Sequence, residues 1–162
     1  YRLKKENFIK LTNKTKFKFK NKSYDKKTFI NTVDKSNHLV ISSSNLDGNN
    51  CRVRVLSLKN KEIKKNILNI NEVKKSLNYL CKFNNFALII IKNFDMNESN
   101  SVLKFMSSKK ETPANSIRNY GVGAQIIKKI GLNNLILVTK SKKRIVGLDG
   151  FGIKIKKQEI FK

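Results

Sequence analysis

The sequence predicts a mixed α/β domain, in the α+β sense: one central sheet, an antiparallel N-terminal meander and flanking helices. Three observations carry that expectation. The first third alternates polar and apolar residues, as in Thr15-Lys16-Phe17-Lys18-Phe19-Lys20. The period then lengthens, so that Val73, Leu77, Leu80 and Cys81 recur at helical spacing. Two short unbroken apolar runs, Phe86 to Ile91 and Leu135 to Val138, have the pattern of strands buried on both faces.

Taken in order, Thr15 to Lys20 reads as a half-buried strand and Asn21 to Asp25 as turn material. Thr28 to Val33 and His38 to Ser42 read as further strands, and Leu46 to Asn50 as a loop with Asp47-Gly48 as its turn signal. Arg52 to Ser57 reads as a strand whose Val53 and Val55 share a face, which completes the expected meander. A helix is expected from Asn71, then the Phe86 to Ile91 strand, then a weaker helix over Glu98 to Met106. Pro113 falls in a loop, and Tyr120 to Ile130 forms a helix stopped by Gly131. Leu135 to Val138, one helical turn over Ile145 to Leu148, and a short strand at Ile153 to Ile155 close the chain.

With 162 residues the chain has the length of one domain, 9–162, and its opening, which is not Met, reads as the end of a preceding domain or a linker over 1–8. The longest apolar run is too short to span a membrane. Cys51 and Cys81, 30 positions apart with no CxxC spacing, fit two free thiols in a reducing cytoplasm. The net charge of +25 raises the reading of a basic nucleic-acid-binding protein. Against it, the excess is 31 Lys to 5 Arg, and these lysines are spread through the whole chain. Specific phosphate and base contacts favour the arginine fork. The 22 Asn and 18 Ile share AT-rich codons with Lys, so compositional drift explains all three together. The charge is therefore read as a solvated surface with no specific nucleic-acid partner and no membrane partner.

The most informative stretch is Ser116-Ile117-Arg118-Asn119-Tyr120-Gly121-Val122-Gly123-Ala124-Gln125-Ile126-Ile127. It is followed by Gly131-Leu132 and by Leu137-Val138-Thr139-Lys140-Ser141-Lys142-Lys143-Arg144-Ile145-Val146-Gly147-Leu148-Asp149-Gly150-Phe151-Gly152. These residues resemble the C-terminal half of GTP cyclohydrolase II, whose pattern runs D-x-R-D-Y-G-I-G-A-Q-I-L, L-G, L-L-T-N-N-P-K-K-I-x-G-L-x-G-Y-G. A weaker likeness links Cys51 to Ser57 with that family's V-L-V-R-V-H-S strand. The resemblance implies a GTP cyclohydrolase II-like fold and places Arg118 at the nucleophile position. It also makes Gly121, Gly123, Thr139 and Arg144 nucleotide- or phosphate-binding positions. Physical chemistry offers two readings of the glycines. They let backbone N–H groups approach an anion at a helix start, or they let the helix pack closely on its strand.

The departures from the family are as specific as the likeness. Active members hold zinc with three cysteines, from C-L-T-G-D and R-C-D-C-G, whereas Leu58-Lys59-Asn60-Lys61-Glu62-Ile63-Lys64-Lys65-Asn66 offers neither Cys nor His. The one His, His38, reads as structural. The GTP-binding R-Q-E-G-R-G-I-G-L segment is replaced by Lys92 to Ser99, and the acid two positions before the arginine is Ser116, a poor general base at neutral pH. The resemblance therefore implies a degenerate domain of riboflavin biosynthesis: no metal or other cofactor of its own, a residual GTP or phosphate ligand, and a homodimeric, cytoplasmic tail. That tail would be fused to 3,4-dihydroxy-2-butanone-4-phosphate synthase, with magnesium expected only in the synthase. The alternative is an active GTP cyclohydrolase II releasing formate and pyrophosphate.

Overall fold

The computed structural model describes residues 9–33, 35–59, 69–93, 122–140 and 152–161. The strands are β1 (Ile9–Phe19), β2 (Lys22–Asn31), β3 (Asn37–Ser42), β4 (Cys51–Lys59), β5 (Phe86–Asn93), β6 (Asn134–Thr139) and β7 (Lys154–Ile160). Helix α1 is Asn71–Leu80, and the described part of helix α2 covers 122–129. All seven strands form one sheet in the order β1-β2-β3-β5-β4-β6-β7. Pairing is antiparallel from β1 through β3 to β5, and parallel among β5, β4, β6 and β7. The expected mixed sheet with flanking helices is what the chain forms. The expected helix over 98–106, the Pro113 loop and the helical turn at 145–148 lie outside the described residues, as do residues 1–8.

Each face of the sheet has its own core. On one face, α2 buries Ala124, Ile126 and Ile127 against Val53, Ala87, Ile89, Ile91, Leu135 and Leu137. On the other, Val73, Leu77 and Leu80 of α1 pack on Leu56, Leu58, Leu88, Ile90, Leu39 and Ile41. Strand β5 feeds both cores by alternation, which explains its unbroken apolar run.

Several boundaries differ from expectation for local reasons. The segment Lys22 to Asp25 is strand rather than turn, because the β1–β2 reversal needs only Lys20 and Asn21, at φ 50° and 65°. Two residues at positive φ make the tight turn that matches the twist of a hairpin. Tyr24 then enters the core edge-on to Phe86, with ring centroids 5.5 Å apart, and Asp25 meets the Lys16 ammonium at 2.7 Å. Strand β2 ends at Asn31, where its Oδ1 accepts the Val33 amide at 2.9 Å and turns the chain. Strand β4 is not part of the meander: β5 is inserted between β3 and β4, and β4 runs parallel to it. The β4-α1-β5 crossover requires this, since a helical connection returns the chain in the same direction. Strand β7 extends to Ile160 along β6.

Helix α2 stops as the sequence foretells. Gly131, at φ 86°, allows Leu132 N–H to reach Ile127 O at 3.1 Å and Gly131 N–H to reach Lys128 O at 3.0 Å. At the same end of the sheet, Gly48 O accepts Asn133 N–H at 2.9 Å and Asn134 N–H at 3.1 Å. A Cβ on Gly48 would stand 2.5 Å from Gly131 O, so only glycine permits this approach.

Candidate functional site

In the parallel half of the molecule, β4, β5, β6 and β7 point their carboxyl ends to one edge, and both helices run back from that edge. The order reverses there: β4 leads through α1 to β5 on one side, while β6 lies on its other side beneath α2. In open α/β sheets ligands gather outside the carboxyl ends at such a reversal.

Of the residues singled out in the sequence, Gly123 and Thr139 lie within the described chain, whereas Arg118, Gly121 and Arg144 lie outside it. Gly123 sits in α2 over the later halves of β4 and β5. A Cβ there would meet Ile91 Cδ1 at 3.5 Å and Val55 Cγ1 at 3.8 Å, ordinary van der Waals distances. Packing alone therefore does not demand a glycine at position 123. Thr139 is the last residue of β6 and is buried. It alternates with Val138, which packs beneath α1, and so belongs to the α2 face with Leu135 and Leu137. Its hydroxyl donates to Gln158 Oε1 at 3.4 Å, a long bond. Gly123 and Thr139 thus share one face and one edge of the sheet.

The soft donors of the chain lie apart from one another. Cys51 opens β4 at the amino edge and packs in the α2-side core, where burial pushes its thiol up to about 12. Cys81 follows α1 at that same edge but packs against the α1-side core. Both are free thiols, as expected, and the sheet separates them. His38 lies at the start of β3, where its Nδ1 accepts the Lys92 N–H at 3.1 Å and its Nε2 is 2.9 Å from Ser36 Oγ. With Nδ1 accepting, the neutral ring carries its proton on Nε2 and donates to the serine.

The α1 face holds polar groups that sequence reading passed over. Arg54, on β4, is buried among apolar side chains. Its Nε donates to Ser76 Oγ at 2.9 Å and its Nη1 to Val138 O at 3.3 Å. Its Nη2 stands 3.6 Å from Glu72 Oε2, and the guanidinium lies 4.7 Å from the Phe161 ring centroid. Burial draws the Arg54 pKa down, and Glu72 draws it back up. Glu72, in the first turn of α1, also accepts from the Lys140 ammonium, and that bond holds its carboxyl below the usual range. Two residues earlier on β4, Arg52 Nε reaches Glu159 Oε1 at 3.3 Å, Tyr79 donates its hydroxyl to the same carboxylate, and Arg52 lies 3.8 Å from the Phe83 centroid. The signal for both arginines was present in the sequence: a strand bounded by core residues on both faces that carries two arginines must supply each with a partner.

Comparison with known proteins identifies the architecture. A family model described as GTP cyclohydrolase II matches residues 10–159. The chain belongs to the GTP cyclohydrolase II family. It is 37% identical over 62 residues to the riboflavin biosynthesis protein RibBA of Bacillus subtilis, covering 38% of this chain and 14% of that protein. It is 28% identical over 157 residues to the 3,4-dihydroxy-2-butanone 4-phosphate synthase of Sulfurospirillum multivorans, covering 96% of this chain and 39% of that one. The chain therefore spans well under half the length of these relatives. Among solved structures it is similar in fold to RibBX of A. baumannii, a two domain 3,4-dihydroxy-2-butanone 4-phosphate synthase, with a TM-score of 0.66 and 17% identity over 99% of this chain and 43% of that one. Among the described residues, no helix is long and apolar enough to cross a membrane.

Proposed function

We propose that this domain has lost GTP hydrolysis and serves as a structural and dimerising tail of a riboflavin-pathway 3,4-dihydroxy-2-butanone-4-phosphate synthase in the cytoplasm. The observation that carries the reading is the donor set. Zinc catalysis needs three soft or imidazole ligands around one open position. The whole sequence has two cysteines and one histidine. The cysteines occupy opposite cores at the amino edge, and both nitrogens of the histidine ring are engaged by Lys92 and Ser36. The residues present do not fit the metal.

In this reading the domain keeps an anion-binding corner on the α2 face. Gly123 and Thr139 frame its described part, and Arg118, Gly121 and Arg144 are assigned to it by their match to the family pattern. Its chemistry is attraction without turnover: a helix start and two guanidinium groups drawn to a nucleotide's phosphates. The relatives that unite such a domain with a synthase support the tail role.

The test is elemental analysis of the purified protein joined to an assay of formate release from GTP, with Arg118→Ala as the matched control. The expected result is substoichiometric zinc and no formate above the control. About one zinc per chain, or formate above the control, would overturn the reading and restore an active cyclohydrolase.

A further inference from the structure

We infer that the outer edge of β1, from Lys14 to Lys18, docks an extended polypeptide segment in which acidic and apolar residues alternate, and that this segment joins the sheet beyond β1. The inference does not depend on whether GTP is hydrolysed.

The backbone sets which groups are on offer. Among the described residues, β1 closes the sheet on one side. Lys20 and Asn21 make its two-residue turn, so Phe19 and Lys22 form a hydrogen-bonded pair. At the far end of β2, Asn31 turns its N–H and C=O toward the β3 side, to Ser36 O and Lys35 N–H. Both ends give the same alternation. Phe19, Phe17 and Thr15 bond to β2, and Lys14, Lys16 and Lys18 turn their N–H and C=O groups outward. Among the described residues, none meets these outward donors and acceptors. The same stretch is exposed from Lys10 to Lys16 and again at Lys18.

The side chains decide what can pair there. Lys16 lies opposite Asp25, Asp25 opposite Ser42 and Ser42 opposite Ala87, so Lys14, Lys16 and Lys18 stand on the α2 face. Phe17 and Phe19 stand on the α1 face, stacked with ring centroids 6.5 Å apart and half-buried against that core. Between Ile9 and Asn31 there are eight lysines and one carboxylate, Asp25, which Lys16 meets at 2.7 Å. Burial, then the Lys14 ammonium, draws the Lys27 pKa down, so cations are crowded beside Lys14. Directly opposed strand residues share a face. A docking strand therefore calls for carboxylates opposite Lys14, Lys16 and Lys18 and an apolar side chain opposite Phe17. A second copy of β1 would set lysine against lysine, which destabilises the pair. A nucleic acid's phosphates only accept hydrogen bonds and leave the outward carbonyls without donors, whereas a polypeptide strand supplies donors and acceptors alike.

The test probe is a blocked heptapeptide alternating valine and glutamate, added at physiological salt to the isotopically labelled protein. Amide hydrogen exchange should slow about tenfold or more at Lys14, Lys16 and Lys18. It should stay unchanged at Thr15 and Phe17, whose amides already bond to β2. Lys14→Pro removes one outward N–H and no bond of the ladder, so it should bind the peptide about tenfold more weakly than Lys14→Ala. Lys14→Glu with Lys18→Glu should weaken binding about tenfold or more. Lys74→Glu with Lys75→Glu, the same charge change on the exposed side of α1, should not. A dT oligomer of matched charge should leave exchange at the three lysines unchanged. The inference is overturned if the peptide protects none of the three amides or if the Pro and Ala variants bind alike. It is equally overturned if the β1 charge variant loses no more than the α1 one, or if the oligonucleotide gives the same protection.

Discussion

The two faces of the sheet meet the carboxyl edge in opposite ways. Among the described residues, the rim beneath α2 is lightly held: the Thr139 hydroxyl makes one long hydrogen bond, and Gly123 has room for a methyl group. Beneath α1 the rim is charged and interlocked, with Arg54 joining β4, β6, α1 and Phe161 through one side chain. A described rim that leaves room at Gly123 is suited to receive a ligand. A rim braced by an arginine that spans several elements is suited to hold a helix in place. The same edge therefore divides its labour, and the difference lies in where the polar groups find their partners.

The sharpest way to break this comparison is to remove the central group of each face. Arg54→Leu strands Val138 O and Ser76 Oγ and removes the stacking on Phe161, so it should cost about 2–4 kcal/mol of unfolding free energy. Thr139→Val, which preserves shape and removes one long bond, should cost less than about 1 kcal/mol. Urea unfolding of both variants checks the ranking, and equal losses would erase the distinction between the faces.

A second variant separates the two readings of the glycine pattern. Gly123→Ala should leave stability within about 1 kcal/mol of the parent, with alanine's better helix propensity offsetting the contact with Ile91. If position 123 serves ligand approach, the same substitution should weaken GTP or pyrophosphate binding while the fold stays intact. Unchanged binding by calorimetry would leave the glycine without a ligand role.

The smallest expected effect concerns pH. The Tyr79 hydroxyl, then Arg52, hold the Glu159 carboxyl below its ordinary range, so this group adds stability above the unfolded carboxylate range that is lost as pH falls through its folded pKa. Burial, then Glu159, push Tyr79 up to about 12 from 10.0. That contribution is complete below 10.0 and disappears as pH rises toward 12. Tyr79→Phe should therefore lower stability at neutral pH by about 1 kcal/mol and flatten both limbs of the profile. Thermal melts from pH 3 to 11 would show whether the limbs persist unchanged, which would remove Tyr79 as their source.

Much of the fold was legible because burial writes itself into periodicity. Strand β5 and strand β6 appear as unbroken apolar runs, α1 as a stripe of Val73, Leu77 and Leu80, and the end of α2 as Gly131. What misled was local polarity. Asn21 to Asp25 looks like turn, yet two residues suffice for the reversal, and pairing with β1 claims the rest. The insertion of β5 between β3 and β4 was invisible because strand order depends on the crossover and not on any residue of β4. At the site, the resemblance to the family pattern, and not periodicity, is what pointed to Gly123 and Thr139. The Arg54–Glu72–Lys140 cluster joins three elements far apart in sequence, and no local pattern announces it.

The outer strand offers a last lesson. Among the described residues, β1 ends one side of the sheet with an eleven-residue edge, solvent-exposed from Lys10 to Lys16. An open edge of that length is a template for further strands, and two such edges meeting would build a fibril one molecule at a time. Here Lys10, Lys14, Lys16 and Lys18 bring ammonium against ammonium in any such encounter. A composition that reads as genomic drift thereby acts as a colloidal guard. It works only while the charges see each other, and at 1 M salt the screening length shrinks to about 3 Å. The charge that keeps this sheet finite therefore acts in dilute salt and fades in concentrated salt.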